Sequence, residues 1–157
     1  MRARNSGFTV IEAMVVVAIL AILAGFAAPS MNQLIRTQKV RSISYDFFAD
    51  LTYARSEAIA RGHNVSISSK NGDKDWGIKG WTVRDVTADV LLRDQGPRAS
   101  GIDFKADTDI LTFVPTGRTA GNAAFTVKPH ESVPDDQIRC IRMTPSGRPN
   151  STTGACP

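Results

Sequence analysis

Few of the groups that run chemistry are present in this chain. Its 157 residues hold two histidines, His63 and His130, and two cysteines, Cys140 and Cys156, and no pair of these has metal-ligand spacing. Asn71-Gly72-Asp73-Lys74-Asp75 sets acids at alternate positions but lacks the downstream glutamate of a calcium loop, so it reads as a solvated turn. No Gly-x-Ser-x-Gly, P-loop or paired-glycine phosphate motif occurs. Together these absences argue against an enzyme, and no cofactor is expected. Repeats and low-complexity tracts are also missing. Neither charge dominates: the formal net charge is +4, and Arg2 and Arg4 supply two of the nineteen bases. The charge is therefore weak evidence for a polyanionic partner.

A further absence is local and more informative. No charged residue lies between Ala13 and Ile35. At ~1.5 Å per helical residue this run covers about 30 Å, the thickness of a bilayer core. The basic leader before it is expected on the cytoplasmic side, with the remainder exported. Glu12 alone interrupts the apolar character between Phe8 and Met31. A carboxylate at the hydrocarbon edge costs about 3 kcal/mol unless it is paired or protonated. No Lys or Arg lies on the neighbouring turns of the apolar run. Glu12 either rests among lipid headgroups or pairs with an α-amino group created by a cut just before Phe8. A secretory signal cut near Gly25-Phe26-Ala27 is the competing reading, and Glu12 fits it poorly.

The spacing of the following residues predicts that the helix continues. Val40, Ile43, Phe47, Leu51, Ala54 and Ala58 recur every three or four residues. Arg36, Lys39, Arg41, Asp46, Asp50, Arg55, Glu57 and Arg61 are expected on the other faces, and Gly62 is a stop signal. One helix over 9–61 is expected, apolar all round in its first half and amphipathic in its second. Pro29, with Gly25 close by, marks where it should bend. After Gly62 the period becomes two. Strands are expected over 63–69, 78–84, 90–93, 102–105, 110–114, 123–128 and 137–144, with Trp76 and Trp81 as core packing. The fold class is α+β: a long N-terminal helix on an antiparallel β domain. The segments are 1–7 as leader, 8–35 as transmembrane and assembly helix, 36–62 as amphipathic helix and 63–157 as β domain. In an exported domain, Cys140 and Cys156 read as one disulfide pinning a tail rich in Gly, Ser, Thr and Pro. Such a loop of about 15 residues is worth roughly 3 kcal/mol.

Gly7-Phe8-Thr9-Val10-Ile11-Glu12 before the apolar helix resembles the class III signal of type IV pilins and type II secretion pseudopilins. The resemblance implies cleavage between Gly7 and Phe8 by prepilin peptidase, N-methylation of Phe8, and a docking role for Glu12. Pro29 falls where many type IV pilins carry a helix-bending proline. Tyr53-Ala54-Arg55-Ser56-Glu57-Ala58-Ile59, with Trp76-Gly77 and Gly80-Trp81, is similar to minor pilins of the FimT and FimU type and to GspH pseudopilins. This implies a pilin fold and a single-pass inner-membrane protein with a periplasmic C-terminal domain, which later enters a pilus or pseudopilus. Its implied partners are other minor pilins, the major pilin and an inner-membrane assembly platform.

The expected disulfide loop opens a second possibility. A glycine turn tied down there would hold Arg148 outward. Arg139 and Arg142 on the preceding strand are expected to share a face, and Arg118 follows a similar Thr116-Gly117 turn. Rigid arginines lose less entropy when they grip phosphates. Some FimT proteins bind double-stranded DNA through a C-terminal Gly-Arg-x-Arg element, which Gly147-Arg148-Pro149-Asn150 resembles, with Asn150 in place of the second arginine. A surface hairpin with solvated arginines is the plainer reading, since residues from Ile110 onward hold five bases and three acids.

Overall fold

A computed structural model describes residues 7–98 and 100–156, with residues 25–30 described by backbone alone. The leader 1–6, with Arg2 and Arg4, lies outside the described residues, as does the side chain of Pro29. Helix α1 spans Val10–Arg61. It opens on a cap absent from the sequence reading: the Glu12 backbone N–H donates to Thr9 Oγ1 at 3.2 Å, which makes Thr9 the N-cap and Glu12 the third helical residue. Gly62 ends it, at φ +66°.

The chain divides into two compact units, Met1–Ile35 and Arg36–Pro157. In the first unit the large apolar side chains of Phe8 to Leu23 are exposed. Among the described residues no helix is long and apolar enough to cross a membrane. The described apolar side chains 13–24 cover about 18 Å of helix, short of the ~30 Å hydrocarbon core. The transmembrane expectation over 8–35 thus rests partly on side chains 25–30, outside the description.

The second unit pairs the later part of α1 with eight antiparallel strands. These are β1 (Val65–Ser69), β2 (Trp81–Asp85), β3 (Val90–Gln95), β4 (Ile102–Ala106), β5 (Ile110–Phe113), β6 (Ala123–Pro129), β7 (Arg139–Met143) and β8 (Pro149–Thr153). They form two four-stranded sheets, β3-β2-β1-β5 and β4-β6-β7-β8. Strands β1, β2, β5 and β6 turn alternate side chains inward, and with Phe104 of β4 and Ile141 and Met143 of β7 these meet the 3–4 stripe of α1 in one cluster. Phe47 is its centre, with ring centroids at 4.7 Å from Phe125, 4.9 Å from Phe104, 5.2 Å from Trp81 and 5.4 Å from Trp76. Both tryptophans are fully buried.

Several expectations are corrected by the register. Asp50 was placed on a polar face, yet it is 1% exposed. It accepts hydrogen bonds from Trp81 Nε1 at 2.8 Å and Arg93 Nη1 at 2.7 Å, so an ion pair locks α1 to the first sheet. The expected strand over 137–144 begins at Arg139, because Asp135–Gln137 forms a 3-10 turn. The expected strand over 78–84 begins at Trp81, and Ile78 is exposed. The tail also contains an unforeseen strand, β8, paired with β7 from Arg139↔Thr153 to Met143↔Pro149. Cys140 and Cys156 form the disulfide, with Cα atoms 5.1 Å apart.

Both histidines sit beside carboxylates. His63 Nδ1 lies 2.9 Å from Asp85 Oδ2, and His130 Nδ1 lies 2.9 Å from Asp103 Oδ1. Backbone N–H donation from Ala88, then the bond to His63, holds the Asp85 carboxyl below the usual carboxylate range. Among the described residues no three His, Cys, Asp or Glu side chains converge as a metal site.

Candidate assembly segment and arginine turns

The N-terminal segment is geometrically simple. Phe8 is 80% exposed just ahead of the helix. Among the described residues no hydrogen bond or ion pair reaches the Glu12 carboxylate, although the Glu12 backbone N–H is capped by Thr9. A carboxylate in the first turn lies in the favourable field of the helix N-terminus and retains both oxygens for an incoming donor. Sequence reasoning singled out Glu12 and missed Thr9, though Thr-x-x-Glu before an apolar run is a recognisable capping pattern.

The C-terminal arginines sit on a more elaborate scaffold. Val114-Pro115-Thr116-Gly117-Arg118 and Thr144-Pro145-Ser146-Gly147-Arg148 are near copies in sequence and shape. Gly117 N–H donates to the Val114 carbonyl at 2.8 Å, and Gly147 N–H to the Thr144 carbonyl at 2.9 Å. Both glycines have left-handed φ, +73° and +71°. The turns stack on each other. A Cβ on Gly147 would stand 1.8 Å from the Gly117 carbonyl oxygen, so only glycine fits there. Thr119 ties the pair further, its N–H donating to Pro145 O at 3.2 Å and its hydroxyl to Thr144 O at 3.1 Å. From α1, Arg55 Nε donates to the Gly117 carbonyl at 3.0 Å. Arg118 and Arg148, each one residue past its glycine, are exposed. Among the described residues neither makes an ion pair.

Arg139 and Arg142 do not share a face, contrary to expectation. Three residues separate them, and strand side chains alternate with period two. Arg139 lies on the side of Ile141 and Met143, and its Nη1 donates to Thr153 Oγ1 at 2.5 Å. Arg142 is exposed on the other side, directly across the ladder from Asn150. The structure therefore brings the turns of Arg118 and Arg148 together and places Arg142 beside Asn150, while Arg139 faces elsewhere.

The profile of the family described as type II transport protein GspH matches residues 45–147. The chain belongs to that GspH family. The prokaryotic N-terminal methylation motif matches residues 2–28 of this GspH-family chain. It is 30% identical over 157 residues to a fimbrial protein of Pseudomonas aeruginosa, covering 98% of this chain and 97% of that protein. It is 51% identical over 99 residues to the type IV major fimbrial protein FimA of Dichelobacter nodosus, covering 63% of this chain and 52% of that protein. The crystal structure of the type IV minor pilin FimU of Pseudomonas aeruginosa superposes with TM-score 0.62 at 27% identity, over 72% of this chain and 87% of that one. The minor pseudopilin EpsH of the Vibrio cholerae Type 2 Secretion System, at 14% identity and TM-score 0.55, shares the fold over 73% of this chain and 97% of that one. The GspH-family chain is thus a pilin or pseudopilin subunit, a structural part and not an enzyme.

Proposed function

We propose that this subunit is a minor pilin that initiates or caps a type IV pilus. Residues 8–35 anchor it in the inner membrane, and the β domain lies in the periplasm. Prepilin peptidase cuts between Gly7 and Phe8, and Phe8 is N-methylated. The new ammonium of one subunit then pairs with Glu12 of another while the apolar helices bundle, with Pro29 easing the bend. Other minor pilins, the major pilin and the inner-membrane assembly platform are the partners. The observation that carries this reading is the apolar first stretch of α1, with exposed side chains, whose one carboxylate, Glu12, has no partner among the described residues. Glu12→Ala is expected to reduce incorporation about a hundredfold, the equivalent of about 3 kcal/mol. The β domain should keep its near-ultraviolet circular dichroism. Normal filament incorporation of the variant, read by immunoblot of sheared filaments, would overturn the pairing mechanism. A type II secretion pseudopilin would use the same N-terminal chemistry, and the GspH match favours it as the alternative host.

A DNA receptor of natural transformation is the second reading, and one observation favours it. Asn150 stands where a second arginine of Gly-Arg-x-Arg would be, and Arg142 is its cross-strand neighbour. Arg142 would then restore the missing guanidinium beside Arg148, with Arg118 on the twin turn. Arg139 drops out of this set. A gel shift of the full chain in detergent with duplex DNA tests it. Replacing Arg118, Arg142 and Arg148 together by Gln should flatten the log–log salt slope by about 3, close to one unit per phosphate contact. An unchanged slope, or no binding at low salt, removes the reading.

A further inference from the structure

The two sheets have four lateral edges, and the chain deals with them differently. The β4 edge is covered by its own loop: Trp76 N–H donates to Phe104 O at 2.8 Å, and Ala106 N–H to Lys74 O at 2.9 Å. Thr119 bridges the β5 edge at Phe113. The β3 edge carries Arg93 and Asp94, charges of the kind that discourage strand pairing. The β8 edge has none of these devices. Its sequence Pro-Asn-Ser-Thr-Thr is uncharged, and among the described residues no main-chain bond reaches its free side.

The phase of the ladder shows which groups that edge offers. Gly154 N–H donates to Ile138 O at 2.9 Å, so that pair is hydrogen-bonded. Alternation along an antiparallel pair then bonds Thr152 to Cys140 and Asn150 to Arg142. Pro149, which has no N–H, falls in a non-bonded pair, as it must. The main-chain N–H and C=O of Ser151 and Thr153 consequently point away from β7. Beside them runs a groove of about 400 Å³ between β8 and the 41–48 stretch of α1. Tyr45, exposed, and Phe48, half-buried, supply an aromatic wall, and among the described residues Arg41 and Arg139 line it with no acid.

We infer that this groove takes an extended, carboxylate-bearing segment of a neighbouring filament subunit, which adds as a fifth strand to β4-β6-β7-β8. The open edge supplies main-chain pairing, the aromatic wall takes alternate side chains, and the arginines select an acid. The choice of a filament subunit as source rests on the assembly reading above. The strand-addition chemistry does not.

The test uses the full chain, with its disulfide formed, in maltoside micelles. The probe is an acetylated hexapeptide alternating threonine and valine and ending in aspartate with a free C-terminus. Saturable amide shifts at Ser151 and Thr153 are expected in two-dimensional NMR. Ser151→Pro removes an outward N–H without touching the β7 ladder and should abolish the shift at Thr153, the amide that still reports binding in this variant, while leaving the thermal midpoint unchanged. Arg41→Gln, distant from any strand bond, should weaken binding about tenfold. Undiminished binding by both variants overturns strand addition, as does displacement of the peptide by an oligothymidylate acting on the same amides. In cells, a photoreactive phenylalanine analogue at position 45 should crosslink to another pilin subunit. Peptide binding without that adduct, in a strain that still assembles filaments, overturns the choice of source. Failure of the Glu12→Ala test alone leaves the peptide result standing.

Discussion

Phe47→Ala is expected to lower the unfolding free energy of the second unit by about 4 kcal/mol, in the middle of the range for a buried phenylalanine. Four aromatic rings surround the side chain within 5.4 Å, three of them edge-on. They come from both sheets and from the loop bearing Trp76. Collapse into the vacancy would require all four to leave their rotamers, so relaxation recovers little. Lost edge-to-face contacts add to the transfer term at about 0.5–1.5 kcal/mol per pair. Phe47→Leu, which keeps much of the volume, should cost less than half as much. Urea denaturation followed by tryptophan fluorescence gives both values, since Trp76 and Trp81 abut the altered site. A loss below about 1 kcal/mol for the alanine variant would mean that the cluster is not the keystone of the core.

Asp50→Ala should cost about 3–5 kcal/mol, the range for breaking a buried ion pair by removing one partner. The change strands the Trp81 indole N–H in the core and, among the described residues, leaves Arg93 with the Tyr53 ring, 3.8 Å from its guanidinium carbon. Asp50→Asn should cost less, because the amide oxygen can still accept from Trp81. Replacing both charges, Asp50→Leu with Arg93→Met, should recover most of the loss, since an apolar pair avoids desolvating either ion. A double variant as unstable as Asp50→Ala would show that Trp81, rather than Arg93, accounts for the effect.

Much of this architecture was legible from periodicity. The 3–4 stripe from Val40 to Ala58 marked the buried helix face because six consecutive apolar contacts leave a strong periodic signal. Strands β1, β4, β5 and β6 were legible because each alternates between turn residues, and β3 because turn residues flank a short apolar run. Strand β8 was not. Pro-Asn-Ser-Thr-Thr has no apolar alternation, since an edge strand whose side chains are mostly exposed needs none. Asp50 was misplaced for a related reason: charge suggests water, and only the tertiary neighbours Trp81 and Arg93 reveal the pairing that keeps it inside. At the candidate sites, the isolated carboxylate was visible because it breaks an apolar run. The kinship of the two Pro-x-Gly-Arg turns was only half visible. Sequence shows the matching words, whereas their stacking depends on β5 and β7 ending side by side.

One consequence follows from seating Phe47 on the same helix that begins at Val10. In the filament proposed above, traction would pull the subunit along α1. Tension carried by α1 beyond Ile35 meets an aromatic plug wedged among four rings, then an ionic bolt at Asp50, and would have to shear both at once. Pulled that way, the subunit is held by its core rather than by the uncharged edge at β8.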